Sequence, residues 1–288
     1  MGDEVKFCFI VQYYGEFPTW FPLFLKSCEN NKGIDWLFFV DTEYKKDVPP
    51  NVKFHLQNSN DFQKVCVDKF RHEVELMCYK GRKGTVKGFY KLCDYRPMYG
   101  FLFEDYLKNY DYWGWCDIDM IFGNLFNYVK TISDKGYECI AFADHPDAFP
   151  YGPCTLIKNC EKMNKLFMKS RDVQKVLTEE RHFQFDEDWR EDVHSIGHVM
   201  REEGVNFLRT SVGNDDAKNR GHGENSGVKR NWKINWKDGK LFQRKKEIGF
   251  FHFGQTKQWV DGNLDFDSVC NWNDIWFNYE NLEQSNDE

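Results

Sequence analysis

No Cys-x-x-Cys pair occurs in this chain, although it holds ten cysteines, at positions 8, 28, 66, 78, 93, 116, 139, 154, 160 and 270. That spacing argues against a zinc site. The lie of several cysteines inside apolar segments predicts reduced core thiols rather than a disulfide framework. No apolar run reaches the roughly 18 residues that cross a bilayer. The opening Met1-Gly2-Asp3-Glu4-Val5-Lys6 has neither the long apolar stretch nor the small-residue cleavage site of a secretory signal. These absences together predict a soluble, cytoplasmic protein without a transmembrane segment. Excess positive charge is also missing. The net charge is −7, which removes the basic footprint of nonspecific nucleic-acid binding. Internal repeats and low-complexity tracts are absent.

Aromatic residues, by contrast, make up 18% of the chain. So aromatic a chain has apolar faces for a large core and some to spare for stacking on bases or sugars. The 288 residues suit one domain with a substantial interior. Val5 to Gln12, Trp36 to Val40 and Val52 to Leu56 read as strands. Pro18 to Asn31 and Asp61 to Arg71 read as helices between and after them. The alternation predicts βαβ units and a mainly parallel α/β sheet flanked by helices. Further helices are expected from Pro97 to about Leu107, with Asp94 as N-cap, and over 161–169, 172–180 and 187–203. Strands are expected over 139–143, 154–157 and 248–253. Residues 213–240, rich in Gly, Asn, Asp and Lys, read as a long mobile loop.

The most informative segment is Tyr112-Trp113-Gly114-Trp115-Cys116-Asp117-Ile118-Asp119. An apolar strand ends in two carboxylates one residue apart. Buried carboxylates require a compensating cation or donor, and an extended Asp-x-Asp turns both toward one side, where a divalent metal fits. The chain holds two further Asp-x-Asp pairs, Asp186/Asp188 and Asp265/Asp267. Only the first pair follows a core-like strand. In parallel sheets ligands bind beyond the carboxyl ends of strands. Tyr13, Tyr14, Gly15 and Asp41 fall at such ends, as do Asp117 and Asp119. The plain structural reading of Asp117/Asp119 is a strand-end pair capping the next turn.

Apolar strand, Asp-x-Asp and turn resemble the signature of nucleotide-sugar-dependent glycosyltransferases of GT-A architecture. The run Lys91-Leu92-Cys93-Asp94-Tyr95-Arg96-Pro97, then Trp113 to Asp119 and Phe122-Gly123-Asn124-Leu125, is similar to one set of these transferases. They occur in bacterial capsule or lipopolysaccharide clusters and in large DNA viruses of algae. The opening Gln12 to Pro18 and Phe38-Phe39-Val40-Asp41 fit the same set, and coverage is convincing over about residues 5–200. The resemblance implies a GT-A-like fold in one domain, residues 1–288, with a donor half over about 1–145 and an acceptor half over about 146–280. It implies a nucleoside diphosphate sugar donor, with UDP expected, and a glycan or glycoprotein acceptor. A virus-encoded xylosyltransferase is one member it suggests, which would act in the host cytoplasm. His252-Phe253-Gly254-Gln255-Thr256-Lys257 resembles the C-terminal element of glycogenin-like transferases, where the His completes the metal shell and the Lys contacts diphosphate. Here Gly254 and Lys257 each stand one residue closer to the His, and Gln258 replaces a Pro.

These readings assign roles. Asp119 and Asp117 are expected to hold Mn²⁺ or Mg²⁺, with His252 as third ligand shifting the preference toward Mn²⁺. Asp117 is also placed on the donor ribose or metal-bound water. The acid cluster Asp186-Glu187-Asp188, read as opening a helix, supplies the general base of an inverting transfer. Asp188 is the first choice there and Asp186 the second. The plain alternative is helix-start acids favoured by the dipole. Asp94 and Arg96 are expected on donor hydroxyls and phosphate, or else as a helix cap and a surface Arg. Tyr13 stacks on the base, with Asp41 on base or ribose. His145, Asp147 and Gly152 stand where acceptor contacts are expected. His194 and His198 read as a solvated helix face. Two other classes stay open: a non-catalytic carbohydrate-binding protein, and a phosphatase of the haloacid-dehalogenase type.

Overall fold

The computed structural model describes residues 5–78, 88–142, 150, 152–187, 192–210, 213–215, 233–243, 245–254, 274–278 and 282–285. Its centre is a mixed α/β arrangement around a seven-stranded sheet. The strands are β1 (Phe7–Tyr13), β2 (Ile34–Val40), β3 (Val52–Leu56), β4 (Tyr112–Cys116), β6 (Cys139–Ala141), β7 (Cys154–Lys158) and β8 (Phe207–Arg209), in the order β3-β2-β1-β4-β7-β6-β8. Strands β1 to β4 pair in parallel. Strand β7 runs against both of its neighbours, and β8 is parallel to β6. The expected mainly parallel sheet flanked by helices is what the chain forms.

The continuous apolar runs of β1, β2 and β4 suit strands covered on both faces. Between β1 and β2 lies α1 (Phe21–Glu29), with Pro22 in its first turn, where a missing N–H costs nothing. Helix α2 (Ser59–Phe70) follows β3, starts on the Asn58 side chain accepting the Asp61 N–H at 3.1 Å, and ends on Arg71 in the left-handed region. Gly114, mid-way along β4, is required by close packing. A Cβ there would lie 2.0 Å from the Thr155 carbonyl oxygen of β7. The nine cysteines among the described residues are free, and seven of them are buried. Among the described residues no helix is long and apolar enough to cross a membrane.

After β4 the chain leaves this sheet. Strand β5 (Met120–Phe122), followed by helix α5 (Leu125–Ser133), pairs antiparallel with β13 (Phe250–His252), which pairs in parallel with β9 (Gly213–Asp215). A third sheet has the order β12-β11-β10-β14-β15, from β10 (Lys233–Lys237), β11 (Lys240–Gln243), β12 (Lys246–Ile248), β14 (Asp274–Asn278) and β15 (Leu282–Ser285). It closes against the turn after β5. The Trp236 indole donates to the Phe122 carbonyl at 3.1 Å, and a Cβ on Gly123 would lie 2.8 Å from the Leu241 nitrogen.

Several expected elements differ. The loop expected over 213–240 contains β9 and part of the β10–β11 hairpin. The alternation Ile234-Asn235-Trp236-Lys237 is a strand signal that the polar composition around it hides. The helix expected from Pro97 to Leu107, capped by Asp94, is instead a 3-10 helix (Phe89–Met98) with Pro97 inside it. It is followed by two single-turn helices, α3 (Tyr99–Leu102) and α4 (Glu104–Leu107). Asp94 does not cap that helix, because its carboxylate binds amides of residues 183 and 185. The segment expected as one helix over 161–169 is α6 (Glu161–Asn164) and a 3-10 turn. Helix α7 (Val173–Thr178) falls where expected. Of the helix expected over 187–203, α8 (Ile196–Glu202) is formed, so Asp186 lies in a turn and does not open a helix.

Candidate metal centre

The parallel direction of β1, β2 and β4 brings their carboxyl ends to one edge, where Gly15, Asp41 and Asp117 follow the last paired residues. The Gly15 N–H donates to the Asp41 carboxylate at 2.8 Å, lacing the ends of β1 and β2 together. Gly15 has φ of 106°, a conformation that favours glycine. The Tyr13 ring stacks on Phe17 with centroids 5.4 Å apart, and its hydroxyl donates to the Glu16 carbonyl. Tyr14 accepts from the Gln12 amide and meets Phe89 edge-on at 5.0 Å. These four sequence-expected positions therefore sit at the same sheet edge as Asp117.

Asp117 and Asp119 flank the point where the chain passes from the large sheet to β5. Strand β13 pairs His252 with Met120, and the Phe253 N–H donates to the Asp119 carbonyl at 3.0 Å. That register delivers the imidazole to both acids. His252 Nε2 lies 3.4 Å from Asp119 Oδ1 and 3.8 Å from Asp117 Oδ2. One ligand atom from each of the three residues falls within 4.8 Å of the others. A divalent ion with bonds of about 2.1 Å needs ligand atoms roughly 3–4 Å apart, and two carboxylates with an imidazole suit Mn²⁺. The residues fit such an ion.

Gly254 keeps the approach open. A Cβ there would lie 2.7 Å from His252 Nε2 and 3.2 Å from Asp119 Oδ2. Gly254→Ala is expected to fold but to weaken Mn²⁺ binding by about 10–100-fold, the range seen when ligands are displaced by their surroundings. Titration calorimetry with Mn²⁺ checks this, and unchanged affinity would remove Gly254 from the site.

Arg96 joins the centre to a second acid. Its guanidinium binds Asp117, donates to Asp186 at 3.1 Å and to the Gly152 carbonyl at 2.8 Å. Burial opposes its charge, but Asp117, Cys93 and Asp186 outweigh this and hold its pKa well above the usual value. Burial raises Asp117, against Arg96 and with Asp119 adding to the rise. Asp186, 2% exposed, is pushed up to about 6 by burial against the pull of Arg96 and His182. Arg96 is thus not a surface residue: three of its five N–H donors bind two carboxylates and a carbonyl.

Asp94 is corrected too. Its side chain is fully buried beside an equally buried Lys91 ammonium 3.4 Å away, and it accepts the Phe183 and Phe185 N–H groups. Lys91 also donates to the Arg181 carbonyl at 2.7 Å. Asp94, His182 and Asp186 form a second close group, but the amides and the Lys91 ammonium already saturate Asp94. Its work is to hold segment 181–186 in place, which leaves no oxygen for a donor sugar. Gly152 is buried, and its carbonyl also accepts from the Trp115 indole. A Cβ on it would meet the Glu187 carboxylate at 2.0 Å, so glycine lets that side chain pack close. His194 is buried, with Nε2 3.1 Å from Glu202 and Nδ1 accepting the Arg171 N–H, not on a solvated face. His145, Asp147, Asp188, Lys257 and the Asp265/Asp267 pair lie outside the described residues.

Sequence reasoning missed Gly254 and the buried Lys91. The Lys91-x-x-Asp94 spacing was a legible signal for the second, and the His252-Phe253-Gly254 element marked the first without giving it a role.

Fold and site together define an α/β protein with a mainly parallel sheet and an Asp–Asp–His group at the carboxyl ends of its strands. Residues 9–270 match the family described as "Family of unknown function (DUF6625)", and the chain belongs to that family. No curated protein and no solved structure matches it.

Proposed function

We propose that this protein is a metal-dependent glycosyltransferase that moves a sugar from a nucleoside diphosphate, with UDP expected, to a glycan acceptor. The observation that carries the reading is the meeting of Asp117 and Asp119, at the end of β4, with His252 from β13, beside the laced ends of β1 and β2. Strand ends of this kind are where α/β proteins bind nucleotides. Asp117, Asp119 and His252 would hold Mn²⁺ or Mg²⁺, which when bound supplies Lewis-acid stabilisation of a departing diphosphate. Tyr13 and Asp41 stand at the adjacent strand ends, where base and ribose would lie. A GT-A-like description of the fold belongs to the same proposal.

The reading is tested by thermal unfolding with a panel of nucleotide sugars, with and without Mn²⁺. A ligand at 100 times its Kd adds about 2.7 kcal/mol, so at least one UDP-sugar is expected to raise Tm, and only with the metal present. Equal shifts in excess chelator, or none with any nucleotide sugar, would overturn it.

Proton transfer falls to Asp186 among the described residues. A general base must be unprotonated, and a carboxylate with a pKa of about 6 meets that condition at neutral pH. Its basic fraction shrinks as pH falls through about 6, so kcat is expected to drop roughly tenfold per unit below that point. A carboxylate in the ordinary range would keep activity to about pH 4. Rate profiles of wild type, Asp186→Ala and Asp188→Ala from pH 4.5 to 8 decide the assignment. The true base should cost about 10²–10⁴-fold when removed. A product that retains the donor's α configuration would exclude this single-displacement, inverting course.

A further inference from the structure

Among the described residues, six large apolar side chains stand exposed: Val48, Leu56, Tyr90, Tyr106, Met168 and Phe207. Only Tyr90 belongs to the 3-10 helix that also carries Lys91, Asp94 and Arg96. Its ring is 52% exposed. It meets the His182 ring edge-on at 4.6 Å, and a nitrogen of His182 lies within 4.8 Å of an Asp186 carboxylate oxygen. The preceding residue, Phe89, meets the Tyr14 ring edge-on at the end of β1. Adjacent rings therefore divide the site's rim. Phe89 borders the strand ends where a nucleotide would lie, and Tyr90 borders the side of Asp186. The Tyr90 hydroxyl is held above its usual pKa by burial first and by Cys93 and Asp117, against Arg96.

We infer that Tyr90 is the acceptor platform, stacking on the apolar C–H face of a neutral pyranose whose hydroxyl is presented to Asp186. The inference rests on the transferase reading above and adds the acceptor-side residue and the chemistry it selects. Buried aromatics need no ligand, but an exposed tyrosine packed edge-on against His182, itself next to the buried Asp186, offers a stacking surface and a hydroxyl in one side chain. Two rotatable bonds keep the ordering cost of such a contact low.

The test uses the full chain, with methyl glycosides of common neutral hexoses and pentoses as probes and their binding read by ligand-observed NMR. Transfer to the same glycosides is measured where it occurs. Tyr90→Ala is expected to weaken probe binding, and to raise acceptor KM, by about tenfold, with donor KM and the Mn²⁺-dependent nucleotide shift unchanged. Tyr90→Phe and Tyr90→Trp should stay within about threefold of wild type, because the ring face persists. Unchanged probe binding in Tyr90→Ala, a Phe variant as weak as Ala, or no probe binding to wild type would each overturn the inference. If probes bind through Tyr90 but no nucleotide sugar shifts Tm, the transferase reading fails while the sugar platform stands.

Discussion

Asp119→Asn is expected to leave the fold intact and to lower sugar transfer by about 10³-fold or more. The change keeps the size of the side chain and the Asp119 carbonyl that receives the Phe253 N–H. It removes one of two negative charges facing His252. A metal acting as Lewis acid contributes several kcal/mol to charge stabilisation, and ~4 kcal/mol corresponds to about 10³ in rate. Without added metal, stability should hold or rise, since the Asp119 charge is one of the influences that push Asp117 upward. The variant should therefore unfold at or above the wild-type Tm in chelator and lose the Mn²⁺-dependent shift with a nucleotide sugar. A variant that still transfers sugar at a tenth of the normal rate would dismiss the metal assignment.

Arg96→Met should produce the largest loss of stability. The guanidinium is 15% exposed and lies between Asp117 and Asp186, with the Gly152 carbonyl as a third partner. Methionine fills much of the same space but leaves the buried Asp186 carboxylate and the partly exposed Asp117 carboxylate without their cation. Removing one partner from a buried ion pair costs ~3–5 kcal/mol, or about 6–15 °C in Tm for a chain of this size. The deficit has a defined pH dependence. Both acids already titrate above the ordinary carboxylate range, and Arg96 is what lowers them. Without it their folded-state pKa values rise further. A group raised in this way contributes stability that is present at low pH and lost as pH rises through its folded value. Unfolding at pH 5 and pH 8 should therefore show the larger deficit at pH 8. A Tm within 2 °C of wild type at pH 8 would mean that the pairs contribute nothing net.

Much of this architecture was legible in the residues. The buried strands β1, β2 and β4 are continuous apolar runs, α1 has its proline, and α2 has Asn58 where a cap belongs. The abrupt change from Trp115-Cys116 to Asp117 marked the place where the chain leaves the core. The sequence marks Asp117, Asp119 and His252 separately, and the structure brings all three together. Asp94 and Arg96, just before the helix expected to feed the metal strand, suggest donor contacts, or else a helix cap and a surface Arg. In the fold both are enclosed by residues 90 positions away. The acids at 186–188 looked like a helix start because the following residues are helix-compatible. The tether from Asp94 to the amides of Phe183 and Phe185, with Gln184 at φ of 58°, holds residues 185 and 186 in a turn instead.

The division has a physical cause. Strand runs, caps and the charge change at Asp117 depend on neighbours within a few residues, and propensity and burial along the chain express them directly. By itself the sequence thus determined a mainly parallel α/β sheet and the strand end on which the acids stand. Contacts set by sheet register join residues distant in the chain and leave no local periodic trace. Only tertiary structure decided that β13 places His252 opposite Met120, that Gly254 keeps the metal side open, and that Arg96 faces two acids. A one-residue slip of β13 would turn His252 to the opposite face, and no pattern within its three residues Phe250–His252 specifies which face that is.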